Sequence, residues 1–242
     1  MPVLPVAAGP EGDHISRVQG EQNYMAELTL YIGNKNYSSW SLRGWLVLKE
    51  SGLAFDEVLI PLDVANTRAE LLRLSPSGRV PALKHGDLTV WDSLAIGEYL
   101  AELCPEKLFW PADPASRALA RSMAAEMHSG FAALRNHLPM NIRSTFPNRG
   151  VTPEVQAEIN RITALWREQR RKLAAEAGPF LFGHFTVTDA MFAPVVSRFR
   201  TYRIELDDEC QSYADAVWAL PAFREWQEAA GHEPMIIESA EF

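Results

Sequence analysis

The chain has 242 residues, a formal net charge of −8 and a hydrophobic fraction of 47%, enough to bury one large or two modest cores in a soluble globular protein. The acidic balance excludes a nucleic-acid-binding surface, which needs clustered lysine and arginine. Only Cys104 and Cys210 occur, so neither a disulfide framework nor a dithiol redox centre is expected, and the chain suits a reducing cytoplasm. No apolar run approaches the roughly 20 residues of a membrane span.

Residues 1–25 are rich in proline, glycine and polar residues and show neither helical nor strand periodicity. We therefore expect a disordered tail. The segment lacks the basic start and the sustained apolar stretch of a secretory signal. Met25 directly precedes the first run with a regular apolar pattern. We therefore expect translation of the natural protein to start at Met25.

Residues 26–107 alternate between predicted strands and helices. The run LTLYI, from Leu28, predicts a strand, and a helix is expected from Leu42 to Lys49, with Gly52 as its left-handed cap. The alternating run FDEVLI predicts a second strand. Together these elements form a βαβ unit.

A second group of elements follows. A short helix is expected near Thr67–Arg73, and the runs VPALKH and LTVW, joined by Gly86 and Asp87, predict a hairpin. The segment from Ser93 to Glu102 predicts an amphipathic helix. The order is therefore βαβ, then ββα.

The chain changes character at the proline-rich connection 108–114, beyond which residues 115–242 predict an all-α bundle of about five helices. Apolar residues recur there at helical spacing and are expected in the core. They form two stripes: Leu119, Met123, Met127, Phe131 and Leu134, and Val155, Ile159, Ile162 and Trp166. Thr186 and Asp189 form a capping-box variant, which predicts the start of an apolar helix.

The order βαβ-ββα followed by an all-helical domain, with RVPAL before the hairpin and WDSLAIGEYL after it, resembles the glutathione S-transferase superfamily. The resemblance covers residues 28–228. It implies an α/β thioredoxin-like N-terminal domain that binds glutathione and a helical C-terminal domain. Within the superfamily, SSWSLR resembles the serine-using theta and zeta groups, since zeta members carry a Ser-Ser-x-Ser-x-Arg run.

The resemblance also implies a glutathione site. Pro81 would be cis and would turn the backbone of Val80 toward the cysteinyl part of glutathione, although a trans proline at an edge strand is the alternative. Asp92 and Ser93 would receive the γ-glutamyl end at a helix N-terminus, where an anion is favoured, unless they only cap the helix. Arg79 suits the glycyl carboxylate, with an ordinary surface role as the alternative.

The serines of SSWSLR are the candidates for activating the thiol. A thiol of pKa about 8.5 is mostly protonated at pH 7, so a hydroxyl that donates to the sulfur favours the thiolate. The resemblance assigns this role to Ser38, with Ser39 as its rival and helix capping as the alternative for both. Tyr37 and Tyr31 are further candidates, because other branches of the superfamily use a tyrosine.

An electrophile is expected between the two domains, against Trp40, Met127, Phe131 and Tyr202. The six histidines lack metal-ligand spacing, so no metal is expected. The resemblance implies a cytoplasmic glutathione transferase that works as a homodimer. Two alternatives stay open: a glutathione-dependent isomerase of the maleylacetoacetate type, and a noncatalytic interaction module on the same scaffold.

Overall fold

The computed structural model describes residues 27–173 and 177–241. The expected disordered tail at 1–25 and the expected start at Met25 therefore lie outside the described residues. Within the described part, the chain forms four strands and nine helices, of which none is long and apolar enough to cross a membrane.

The first half of the chain builds a four-stranded mixed sheet. Strand β1 (Leu28–Ile32) pairs in parallel with β2 (Asp56–Leu59) and antiparallel with β3 (Ala82–His85), which forms a hairpin with β4 (Leu88–Val90). The strand order is β2-β1-β3-β4. Alternate residues of β1 are buried, as the period of two along a strand requires. The predicted βαβ-ββα order is confirmed.

Three helices accompany this sheet: α1 (Ser39–Ser51), α2 (Thr67–Leu74) and α3 (Ser93–Leu103). Helix α1 begins three residues before the predicted start at Leu42, because the Ser38 side chain accepts the N–H of Ser41 and caps it. It ends at Gly52, whose φ of 77° is the predicted left-handed cap.

The second half of the chain is helical, as predicted, but contains six helices in its described residues where about five were expected. They are α4 (Pro114–Ser129), α5 (Ala132–His137), α6 (Pro153–Arg171), α7 (Val187–Thr201), α8 (Asp208–Ala219) and α9 (Pro221–His232).

The additional helix corrects one prediction. The apolar stripe from Leu119 to Leu134 belongs to two helices, because α4 ends before Gly130 and Phe131 adopts a positive φ of 60°. Leu119 is also 36% exposed and is not part of the core. Helical spacing alone could not reveal this break, since the residues on its two sides keep the same period.

Helix α7 is buried along nearly its whole length and packs against α1, α4 and α8. Its capping box is present: the backbone N–H and the hydroxyl of Thr186 both donate to Asp189 Oδ2 at 2.8 Å, and Leu181 N–H donates to Asp189 Oδ1 at 3.1 Å. Burial raises the pKa of Asp189, while these hydrogen bonds favour its charged form. Asp189 thus joins the segment before α7 to the helix itself.

The loop between β1 and α1 is held by the chain beyond α9. The buried carboxylate of Glu233 accepts the backbone N–H groups of Lys35, at 2.6 Å, and Asn36, at 3.0 Å. Trp226 on α9 donates its indole N–H to the Lys35 carbonyl at 2.8 Å. The position of Ser38, which directly follows this loop, therefore depends on contacts with residues almost 200 positions away.

We expect Asp189→Ala to lower the free energy of unfolding by about 3 kcal/mol, because it leaves several buried donors unpaired. Urea denaturation measures the change. Asp113→Ala is the matched control, since the Asp113 side chain also caps a helix, by accepting the Ser116 N–H, but lies at the surface. The control should lose clearly less stability, and equal losses would contradict the importance given to Asp189.

We expect Glu233→Ala to lower the free energy of unfolding by about 2 kcal/mol and to speed hydrogen exchange at the Lys35 and Asn36 amides, which lose their charged acceptor. Amide exchange followed by mass spectrometry or NMR checks this. Glu238→Ala, an exposed change in the same segment, is the control and should leave exchange unaltered. Unchanged protection in Glu233→Ala would mean that the loop is held by other contacts.

Candidate functional site

Two cavities adjoin each other where the first turns of α1 and α3 face the second half of the chain. The serine cavity, which contains Ser38 and Ser39, has a volume of about 450 Å³. The helix cavity, which contains Asp92 and Ser93, has a volume of about 480 Å³. Trp40, Arg79 and Val80 line both cavities. The structure thus brings the predicted serine motif, the RVP segment and the start of α3 together.

Asp92 and Ser93 have different surroundings. Asp92 caps α3, since its Oδ1 accepts the N–H groups of Leu94 at 3.0 Å and Ala95 at 3.4 Å. The Ser93 hydroxyl is buried, lines the helix cavity and forms no hydrogen bond with any described residue. A buried polar group without a partner is costly, so this hydroxyl is suited to a ligand.

The helix cavity carries charges of both signs. Asp92 Oδ2 lies 2.9 Å from His128 Nε2, and the Asp92 side chain, which lines the cavity, remains half exposed. Arg68 and Arg79 also line the cavity, and both are exposed. The cavity therefore offers guanidinium groups and a helix N-terminus to carboxylates, and a carboxylate to an ammonium group.

Val80 and Pro81 both line the helix cavity, and Val80 also lines the serine cavity. Their peptide bond is cis, as the resemblance implied. Pro81 is buried against α1, where a Cβ added to Gly44 would lie 3.1 Å from Pro81 Cγ. The close approach of this proline to α1 explains the glycine in the second turn of the helix.

Ser38 and Ser39 are both nearly buried and line the serine cavity. Ser38 Oγ accepts the N–H of Ser41 at 3.3 Å and donates to Ser41 Oγ at 2.8 Å. The Ser39 hydroxyl has no partner among the described residues. Both hydroxyls therefore face a space in which a ligand atom could contact them.

The two tyrosine candidates are placed differently. Tyr37 lines the serine cavity, but its hydroxyl donates to Glu241 Oε1 at 2.6 Å and accepts from Arg143 Nη2 at 2.8 Å. Tyr31 belongs to β1 and lines neither cavity. The geometry therefore favours a serine over either tyrosine as the group that contacts a thiol.

The far wall of the serine cavity contains two arginines that sequence analysis did not single out, Arg135 and Arg198. Two guanidinium groups contact the ring of Trp40: that of Arg43 is 4.5 Å from the ring centroid and that of Arg135 is 4.7 Å away. Arg198 donates to the carbonyls of Leu138, at 2.7 Å, and Pro194, at 3.1 Å.

None of these three arginines forms an ion pair with a carboxylate of the described residues. Burial lowers the pKa of Arg43 and Arg198, and the charge of Arg135 lowers both further. The one signal in the sequence was an arginine inside the apolar run AMFAPVVSRF, since arginine is rarely buried without a partner.

Three residues expected around the electrophile lie elsewhere. Met127, Phe131 and Tyr202 are buried in the core and line neither cavity. The Tyr202 hydroxyl donates to the Pro139 carbonyl at 2.9 Å. The prediction is corrected for this reason: apolar residues at helical spacing face the core, whereas the cavity wall is formed by polar members of the same helices and by the loop after α5. Trp40 alone of the predicted set borders the serine cavity.

The described residues contain neither a cluster of metal-binding side chains nor an exposed cysteine. No group of three or more histidine, cysteine, aspartate or glutamate side chains could hold a metal ion there. Cys104 and Cys210 are both buried and unbridged, and burial raises the pKa of both thiols, that of Cys210 to about 12. A thiol in that state is a poor nucleophile.

Comparison with known proteins agrees with this geometry. Residues 37–103 match the family model of the glutathione S-transferase N-terminal domain, and residues 117–229 match that of the C-terminal domain. The maleylacetoacetate isomerase of Rattus norvegicus is 28% identical over 203 residues, which cover 81% of this chain and 89% of the relative. Glutathione S-transferase GstB of Escherichia coli K12 is 28% identical over 168 residues, 68% of this chain and 80% of the relative.

Among solved structures, a glutathione transferase homologue from Burkholderia with bound glutathione is 25% identical, with a TM-score of 0.62. That match covers 85% of this chain and 98% of the homologue. The two family models together span both halves of the described chain, in the order in which the sheet and the helical half occur. The chain belongs to the glutathione S-transferase family.

Proposed function

We propose that this protein is a glutathione transferase, which binds glutathione in the helix cavity and activates its thiol for attack on a small electrophile in the serine cavity. The observation that carries the proposal is the Ser93 hydroxyl, buried without a partner at the N-terminus of α3. The named relatives, which include glutathione transferases, support the same reading.

The charges of the helix cavity match those of glutathione, which has two carboxylates and one ammonium group. The γ-glutamyl carboxylate would accept from the Ser93 hydroxyl and the first N–H groups of α3, with the ammonium group near Asp92. Arg79 or Arg68 would meet the glycyl carboxylate. Val80 would meet the cysteinyl backbone. In this pose the thiol reaches the wall shared with the serine cavity.

The chemistry begins with the thiolate. Ser38, at the N-terminus of α1, would donate a hydrogen bond to the sulfur, and the positive end of the helix dipole adds to this effect. The thiol proton leaves to solvent. The sulfur then forms a bond to an electrophilic carbon, and either a leaving group departs with its electron pair or the addition product takes up a proton. Ser39 is the rival donor.

A second candidate function is a glutathione-dependent isomerase. Two observations favour it: relatives from rat and mouse are named maleylacetoacetate isomerase, and the serine cavity contains Arg135 and Arg198 without an ion-paired carboxylate. The thiolate would add to a conjugated double bond, the resulting single bond would rotate, and elimination would restore the double bond and the thiolate. Buried cations would hold an anionic substrate during these steps.

The setting of the reaction is part of the proposal. A role in detoxification follows if the electrophile is foreign, and the two free, buried cysteines suit a reducing cytoplasm. A homodimer is expected from the resemblance. We also propose a division into a glutathione-binding domain at 26–107, a connection at 108–114 and a helical domain at 115–242, with each cavity bordered by residues of both domains.

Glutathione binding is the first test. At about 100 times its dissociation constant, glutathione should stabilise the fold by roughly 2.7 kcal/mol, which a thermal melt detects. Ser93→Ala should weaken binding about tenfold, since a hydrogen bond to a charged group is lost. Ser38→Ala should still bind glutathione and lose activity with a standard electrophile.

Ser122→Ala, on the exposed face of α4, is the matched control and should behave as the wild type. A wild type that glutathione neither stabilises nor binds would remove the transferase proposal and leave the noncatalytic module. Equal affinity in Ser93→Ala would instead show that the γ-glutamyl end lies elsewhere.

Paired ligands test the second candidate. S-(ω-carboxyalkyl)glutathiones with one to four methylenes, and the corresponding uncharged carboxamides, both fill the helix cavity but present different groups to Arg198. If the natural acceptor is anionic, the carboxyalkyl glutathione with the most suitable chain length should bind about tenfold more tightly than its carboxamide. Calorimetry measures both affinities. Arg198→Met should abolish the difference.

Arg200→Met is the control, because Arg200 lies on the same helix but is paired with Asp215 at the surface. It should keep the preference for the carboxylate. If wild type binds the carboxylate and the amide equally at every chain length, the isomerase of an anionic substrate is excluded in favour of a transferase with neutral acceptors.

A further inference from the structure

Ser41 lies one turn into α1, is fully buried and lines neither cavity. Its hydroxyl oxygen accepts the N–H of Gly33, at the end of β1, at 2.9 Å, and the hydroxyl of Ser38 at 2.8 Å. Its own backbone N–H donates to Ser38 Oγ at 3.3 Å. Two hydrogen bonds therefore join Ser38 to Ser41, and a third joins Ser41 to the sheet.

Without a ligand, the hydrogen bonds that join Gly33, Ser41 and Ser38 leave one hydroxyl hydrogen without an acceptor. A serine hydroxyl has one hydrogen to donate and two lone pairs. Ser41 Oγ uses both lone pairs, for Gly33 and Ser38, while its own hydrogen has no acceptor among the described residues. Ser38, in turn, directs its only hydrogen at Ser41 and away from the cavity. The buried Ser41 hydroxyl therefore donates to nothing, and the Ser38 hydroxyl, which lines the cavity, has no hydrogen left to donate to a ligand.

A rotation of the two hydroxyl groups removes this imbalance when a thiolate arrives. Ser38 would then donate its hydrogen to the sulfur, and Ser41 would donate its idle hydrogen to Ser38 Oγ. The N–H groups of Gly33 and Ser41 keep their present acceptors. Every donor of the two serines is then used, and the number of hydrogen bonds rises by one.

We propose that Ser41 is a positioning residue that acts through Ser38: by donating to Ser38 Oγ it directs and strengthens the hydrogen bond from Ser38 to the glutathione sulfur. This inference rests on the proposed function. A hydroxyl that accepts two hydrogen bonds is a stronger donor, because successive hydrogen bonds polarise one another in a buried site. Ser41 therefore lowers the pKa of the bound thiol without contacting it.

A purely structural role for Ser41 makes different predictions. If Ser41 only ties β1 to α1 through Gly33, its loss lowers stability and leaves the thiol pKa alone. If Ser41 only competes for the Ser38 hydrogen, its loss lowers the thiol pKa, because Ser38 is freed to donate. The proposal alone requires a rise.

The pKa of bound glutathione, measured from the ultraviolet absorbance of the thiolate and from the pH profile of kcat/KM, distinguishes these cases. In Ser41→Ala we expect a rise of about half a unit to one unit, a roughly three- to tenfold loss of kcat/KM well below the thiol pKa. The loss should disappear at pH values above it. Glutathione affinity measured well below the thiol pKa, where the ligand is bound as the thiol, should stay as in the wild type.

Ser51→Ala is the matched control. Ser51 is also a buried serine of α1, whose hydroxyl donates to the Leu48 carbonyl at 2.6 Å and accepts from Leu53 N–H at 3.2 Å. Its loss also leaves a backbone N–H without an acceptor, so its cost in stability should be comparable. The thiol pKa should not change. If Ser41→Ala fails to fold, Ser41→Cys, which keeps the size and weakens the donor, takes its place with the same expected rise.

The double variant Ser38→Ala/Ser41→Ala completes the test. If Ser41 acts through Ser38, the double variant has the thiol pKa of Ser38→Ala alone. The proposal is overturned if the two pKa shifts add in the double variant, or if the thiol pKa is unchanged in Ser41→Ala. It is also overturned if the thiol pKa is unchanged in Ser38→Ala, because Ser39 would then be the donor to the thiolate. Failure of the wild type to bind glutathione would instead remove the proposed function itself, so the two failures are distinguishable.

Discussion

Helix α1 is buried on nearly all of its faces, and the arrangement of both cavities depends on that burial. One side packs against α3 and the sheet, and another against α7, where Arg43 Nε donates to the Met191 carbonyl at 3.2 Å. A helix enclosed in this way cannot shift without moving both halves of the chain. Its first turn is therefore a rigid place from which to present a hydroxyl, and Ser38 occupies it.

The same rigidity extends to the groups around Ser38. The loop before it is held by Glu233, and Val80 and Trp40 line both cavities. Glu233 and Val80 both lie far from Ser38 in the sequence. A ligand that fills both cavities would thus contact groups whose positions are set independently of it, which keeps the cost of ordering the site low.

Charge is distributed unevenly between the cavities. The helix cavity contains Asp92 and its partner His128 together with exposed arginines, a mixture suited to a zwitterionic ligand. Among the described residues, every charged side chain that lines the serine cavity is an arginine, although the chain as a whole has a formal net charge of −8. Arg198 is buried and Arg135 is partly buried, and neither forms an ion pair with a carboxylate of the described residues, which makes their burial costly.

The sequence by itself determined the order of strands and helices, the cap at Gly52 and the capping box at Asp189, because these depend on local spacing and turn chemistry. The candidate residues Val80, Pro81, Asp92 and Ser93 came instead from the resemblance of the RVPAL and WDSLAIGEYL runs to a known family. Only the tertiary structure decided that Asp92 caps α3 while the Ser93 hydroxyl stays unpaired, and that Ser38 is joined to Ser41. It also showed that Met127, Phe131 and Tyr202 lie in the core and that Arg135 and Arg198 line the serine cavity. The physical reason is that helical period identifies which face of a helix is apolar, but which polar side chains meet across two helices depends on how those helices cross.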